Sequence, residues 1–234
     1  SGTVYTDEGS TNIGSGKTVA LSVNGSAAGV TNDTNGSGQY SFTGVSVVEG
    51  NTLALYLDGE TEKALTVTVV ASSDLSNIDL YQDRLVLRND NVGAVTNSHL
   101  EIANNNGDTD ITGFYSMSLL NLTVTTTREL FVPAGETYAP GGTVTVRDID
   151  INGTVQLQVY TAAVSGTWDA TGGAFSSSNI VTFTATSGTV DIVSNGSSFN
   201  TVVFNDGGGG ATFELEDAFD ADNNFIITGG TVDT

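Results

Sequence analysis

The chain has 234 residues, 38 % of them hydrophobic, with 29 Gly, two Pro and no Cys, and a formal net charge of −21. Its 27 acidic residues against six basic ones exclude a nucleic-acid binder, because phosphate contacts need clustered Lys and Arg. The absence of Cys excludes a disulfide framework, and no apolar run approaches the length of a membrane span, so no membrane insertion is expected.

Residues 1–72 alternate like a small sandwich. TVALSV (Thr18–Val23), QYSF (Gln39–Phe42), TLALYL (Thr52–Leu57) and ALTVTVV (Ala64–Val70) read as strands. Turn chemistry bounds them: NGS, TNGSG, EGN and DGE. Alternation in TLALYL puts Leu53, Leu55 and Leu57 on one face. The expectation is an Ig-like or transthyretin-like β-sandwich.

The stretch TNDTNGSGQYSF, followed by VEGNTLALYLDG, resembles carboxypeptidase-regulatory-like and Cna-B-like modules, with Gly38, Tyr40, Phe42 and Gly50 matching their pattern. The resemblance implies a glycine turn followed by aromatics that enter a sandwich core. Some Cna-B modules carry a Lys–Asn isopeptide bond, but neither Lys17 nor Lys63 sits in an obvious first strand with a catalytic acid partner, so no such bond is expected here.

From about Leu75 the texture changes, and residues 73–234 are expected to form a right-handed β-solenoid. Gly142-Thr-Val, Gly166-Thr-Trp, Gly188-Thr-Val, Gly210-Ala-Thr-Phe and Gly230-Thr-Val recur at glycine spacings of 24, 22, 22 and 20. Coils of that length cannot bury an inner face alone, so they stack and share a core. Val144, Trp168, Val190 and Val232 are the expected inward column. IVTFTA (Ile180–Ala185), TFELED (Thr212–Asp217) and FIITGG (Phe225–Gly230) supply further strands. The run FNTVVFNDGGGGATFELEDAFDADNNFIITGGTVDT is similar to coils of right-handed β-helices in bacterial adhesins and hemagglutinin-like surface proteins. The alternative architecture is two β-sandwiches. Either way the chain is all-β.

Candidate chemistry is sparse. His99 stands alone, without the partners a zinc site or a serine triad needs, and reads as a loop or surface residue. DIDING (Asp148–Gly153) matches the first six positions of a calcium loop, but Val159 stands where the loop's glutamate belongs. It reads instead as a strand with Asp148, Asp150 and Asn152 facing solvent. DAFDADNN, with Asp217, Asp220 and Asp222, and NNNGDTD, with Asp108 and Asp110, are loops where carboxylates can converge on calcium, the one cofactor considered. NDGGGGA (Asn205–Ala211) lacks the Lys and helix of a phosphate cradle and reads as a corner.

No catalytic constellation emerges, so the expected role is non-enzymatic: an extracellular or cell-surface subunit of a filament or fibre. The expected assembly residues are Thr231, Val232 and Asp233, which read as an unfinished strand that another copy would cover head to tail. Two other readings are carried alongside: an adhesin segment that binds a glycan or host surface, and a carbohydrate-active β-helix enzyme.

Overall fold

The computed structural model describes residues 1–71 and 74–234, so the expected boundary at 72/73 lies outside the described residues. The first part supplies β1 (Gly2–Tyr5), β2 (Thr18–Val23), β3 (Ser26–Asp33), β4 (Gln39–Tyr40), β5 (Thr52–Leu57) and β6 (Leu65–Val69). Next come β7 (Leu80–Tyr81), β8 (Arg84–Leu87), the helices α1 (Asn97–Asn104) and α2 (Thr109–Thr112), then β9 (Tyr115–Ser118) and β10 (Asn121–Val124). Three successive coils follow: β11 (Glu129–Val132), β12 (Thr137–Tyr138) and β13 (Val144–Val146); β14 (Asp148–Ile151), β15 (Thr154–Gln158) and β16 (Ala162–Val164); β17 (Trp168–Asp169), β18 (Ala174–Ser177) and β19 (Ile180–Phe183). The remainder is β20 (Thr189–Val193), β21 (Phe199–Phe204), β22 (Thr212–Leu215), β23 (Ala221–Ile227) and β24 (Thr231–Asp233).

These strands build a β-solenoid of about 8 turns, with 5 % helix and 44 % strand, so the all-β expectation holds. One wall runs β24-β22-β20-β17-β14-β11-β8-β6 in parallel, a second runs β23-β21-β19-β16-β13-β10, and a third is β12-β15-β18. Inward residues alternate along each strand: Ile149 and Ile151 are buried in the core, and Val144 and Val146 face it from the second wall. The core is aromatic towards its far end. Phe183 stacks on Phe204 at 5.3 Å, and Trp168 meets Phe175 at 4.9 Å and Phe199 at 5.5 Å.

The expected inward column needs correction. Val190, Phe213 and Val232 do stack in register. Trp168 pairs with Ile192 rather than Val190, and Val144 lies on the second wall between Leu122 and Ala162. The Gly-Thr-apolar triplet marks any corner that feeds a strand, and two walls have such corners.

Ahead of the coils the long wall continues but changes direction. β6 pairs in parallel with β8, then β5, β2 and β3 follow antiparallel, to make an 11-stranded sheet. Leu53, Leu55 and Leu57 share one face, as the alternation requires. They pack with Val19, Leu21, Tyr40 and Leu80 beneath the small sheet β4-β1-β7. Ala54 and Tyr56 turn the other way, into the solenoid core. The N-terminal part therefore has two layers, one of which is the solenoid's own sheet. Gly38 makes the turn expected of it: φ is +72°, and a Cβ there would lie 2.8 Å from the Val4 carbonyl oxygen.

The helix α1 closes this end. Leu100 and Ala103 are buried against the core, and α1 packs on β5, β6 and β9. Thr96 is its N-cap, and its backbone N–H donates to His99 Nδ1 at 3.1 Å. His99 is thus a half-buried capping residue, not a loop or surface residue. Burial lowers its pKa from the ordinary histidine value.

Candidate functional site

The last coil differs from those before it. β24 pairs with β22 through Thr212–Thr231, Phe213–Val232 and Glu214–Asp233, and among the described residues it has no partner on its other edge. Phe225, Ile226 and Ile227 of β23 are 46 %, 40 % and 51 % exposed, whereas Phe204, against which Phe225 packs at 5.1 Å, is fully buried. Val232 is half-buried against the core, and Thr231 and Asp233 are exposed. Thr231 already donates its N–H to the Ala211 carbonyl at 3.0 Å, so that group is committed within the chain. An exposed apolar rung beside an unpaired strand edge is an adhesive surface.

The outer face of this end is acidic. Asp191, Glu214 and Asp233 occupy consecutive rungs in register. Asp191, Glu214 and Glu216 bring carboxylate oxygens within 4.8 Å of one another. Like charges in neighbouring rungs repel, and a divalent cation would relieve that repulsion. Sequence reading missed this group because Asp191 comes from a different coil than Glu214 and Glu216.

The calcium residues expected nearby are used differently. Asp217 accepts the Ser194 N–H and hydroxyl, both at 3.0 Å, and the Asn195 N–H at 2.5 Å. Asp222 accepts from the Ser198 hydroxyl at 3.2 Å, and the Asp220 carbonyl accepts the Phe199 N–H at 3.0 Å. These groups tie each corner to the preceding coil, and among the described residues the three carboxylates form no common cluster. The NDGGGGA corner is held from within, with Asp206 accepting from the Gly208 and Gly210 N–H groups at 2.7 Å each. Those N–H groups hold its carboxyl below the usual range.

At the capped end, Asp108 and Asp110 do come together, and Asp58 from the turn after β5 joins them, with all three carboxylates within 4.8 Å. Asp108 N-caps α2 by accepting the Asp110 N–H at 2.8 Å, and it also accepts the Tyr56 hydroxyl at 3.1 Å. Asp110 Oδ2 accepts the Gly59 N–H at 2.6 Å, and its other oxygen meets the Lys63 ammonium. Lys17, the other lysine, pairs with Glu60 and Glu62. Burial, followed by Asp108 and Asp110, pushes the Asp58 carboxyl up. Lys63 already supplies positive charge where calcium was expected.

The DIDING strand forms as read, with Asp148 accepting the Thr167 N–H at 2.9 Å. Asp150 points away from the core, yet it is covered rather than solvated. Burial, reinforced by Glu8, Glu129 and Asp169 and opposed by Arg84, pushes its carboxyl up to about 7. No protein-family model matches this chain, nor does any curated protein or solved structure. Its fold places it among β-solenoid proteins.

Proposed function

We propose that this chain is a non-enzymatic structural protein of the cell surface or extracellular space, and that its last coil joins copies head to tail into a filament or fibre. The observation that carries the reading is the exposed rung Phe225, Ile226 and Ile227 beside the free edge of β24. Fully burying a side chain of this kind contributes about 1.5–3 kcal/mol. β24 and β3 are the two edges of one 11-stranded sheet, so copies aligned head to tail would meet edge to edge. A head-to-tail contact that does not close a ring propagates as a fibre.

In this reading Thr231, Val232 and Asp233 form the junction. The two-layered N-terminal part is an Ig-like module, and the solenoid is right-handed, the sense that parallel crossovers take. Commitment of Asp108, Asp110, Asp217 and Asp206 to caps and corners supports a structural role for the acidic loops. Calcium enters as a bridge that relieves repulsion among the acidic rungs at the junction. Electron microscopy of the purified protein at rising concentration tests the proposal. Ordered polymers are expected, and dispersed single particles at high concentration would overturn it.

A further inference from the structure

Asp150 stands on the outer face of β14, in register with Phe131 of β11 on one side and Asp169 of β17 on the other. Outward side chains of a sheet are ordinarily solvated, yet Asp150 is only 7 % exposed and Phe131 only 5 %. The layer built on β1 and β7 lies over them. Tyr81 sets its ring edge-on to Phe131 at 5.5 Å and stacks on Tyr5 at 5.7 Å. Beyond Tyr5 the chain loops out through residues 6–11 and returns at Asn12, which bridges back to Tyr5. Asp7 holds the loop together by accepting the Ser10 and Thr11 N–H groups at 2.8 Å each. Glu8 fastens it to the sheet by accepting from Arg84 of β8 at 2.6 Å. The Arg84 guanidinium lies over the Phe131 ring at 5.6 Å and also donates its Nε to Glu129 at 2.6 Å. Four carboxyl groups, those of Glu8, Glu129, Asp150 and Asp169, thus share one guanidinium. Asp7 and the ion pairs Asp83–Arg128 and Asp148–Arg147 line the groove beside it.

We infer that residues 6–11 form a pH-operated strap, closed over Phe131 and Asp150 in acid and released as Asp150 ionises. While Asp150 keeps its proton, Arg84 has three carboxylates to satisfy and Glu8 stays fastened. A charge on Asp150 repels Glu8 and competes with it for Arg84, so the charge that develops beneath the strap loosens the pair that holds it down. Once the strap lifts, water reaches Asp150 and its carboxyl returns towards the ordinary range of about 4. The closed state therefore binds the proton more tightly than the open one, with a carboxyl pushed up to about 7. Release grows as pH rises from about 4 to about 7 and levels off above that. Opening bares an aromatic ring and a group of carboxylates on the outer face of the long sheet.

Hydrogen exchange of the full chain at pH 5 and pH 8, corrected for intrinsic rates, is the test. The Thr6 N–H donates to the Thr11 carbonyl and the Gln82 N–H to the Tyr5 carbonyl, both at 2.9 Å, so these amides report the strap and its root. Their protection should fall by about tenfold or more at pH 8, while β22 amides change far less. Asp150→Asn, neutral at both pH values, should keep the strap closed at pH 8. Glu8→Gln, which takes the repelled charge off the strap, should also flatten the response. Equal protection of the wild-type strap at the two pH values, or a response that persists in Asp150→Asn, would overturn the inference.

Discussion

The two ends of the solenoid solve the same problem differently. At the N-terminal end the core meets α1, whose Leu100 and Ala103 are buried, and the long sheet turns antiparallel through β5, β2 and β3. At the other end of the described coils Phe225, Ile226 and Ile227 are each at least 40 % exposed, and β24 has no second partner among the described residues. A stack of coils shares its core between neighbours, so each end leaves apolar surface that something else must cover. Here one cover is built from the chain's own residues, and the other is proposed to come from a second copy.

The largest effect that separates the ends is truncation of the cap. Leu100→Ala removes a fully buried side chain and should destabilise the protein by about 2–5 kcal/mol in denaturant unfolding. Phe225→Ala, at a half-open position, should cost the monomer well under that amount while weakening association. Equal losses in the two variants would erase the distinction between closed and open ends.

A smaller effect comes from Asp150, on the outer face between the ends. Its folded pKa of about 7 lies above the ordinary 3.8, so the folded state holds its proton more tightly than the unfolded chain does. Stability should therefore fall as pH rises from about 4 to about 7. Asp150→Asn should remove that slope and raise the melting temperature at pH 8, by a free energy on the order of 1 kcal/mol after solvent screening. A melting temperature at pH 8 that Asp150→Asn leaves unchanged or lowers would contradict this reading of the buried acid.

Smaller still is the histidine cap. His99 accepts the Thr96 N–H only when neutral, and its folded pKa is lowered from 6.5. The cap's contribution is complete above about 6.5 and is lost as pH falls below that value. Hydrogen exchange of the first α1 amides should accelerate between pH 7 and pH 5 beyond the intrinsic trend, with no matching change in β22 or β24. Uniform behaviour of both ends would place the pH sensitivity elsewhere.

Sequence reading served these regions unequally, for physical reasons. The coils were legible because corners repeat: the marks at Gly188, Gly210 and Gly230 lead into residues that stack in register. The same triplet at Gly142 misled, because a glycine corner does not say which wall it feeds. The alternation of Leu53, Leu55 and Leu57 was readable locally, but the pairing of β6 with β8 that joins the N-terminal strands to the solenoid sheet was not. The cap escaped notice because Thr96 and His99 use an imidazole where a capping box usually carries Glu or Gln. The cluster of Asp58, Asp108 and Asp110 was only two-thirds visible, since Asp58 arrives from another turn of the fold. Asp217, Asp220 and Asp222 looked like a cation loop because spacing alone cannot show that their oxygens tie one coil to the next.

Sedimentation velocity across a wide concentration range will decide whether the open coil binds another copy. The wild-type protein should shift to faster, heavier species as concentration rises. Val232→Lys, which sets a charge on the half-buried rung above Phe213, should stay folded and sediment as a monomer throughout. A wild-type protein that remains monomeric at the highest concentration, or a Val232→Lys variant that associates equally well, would rule out assembly through this coil.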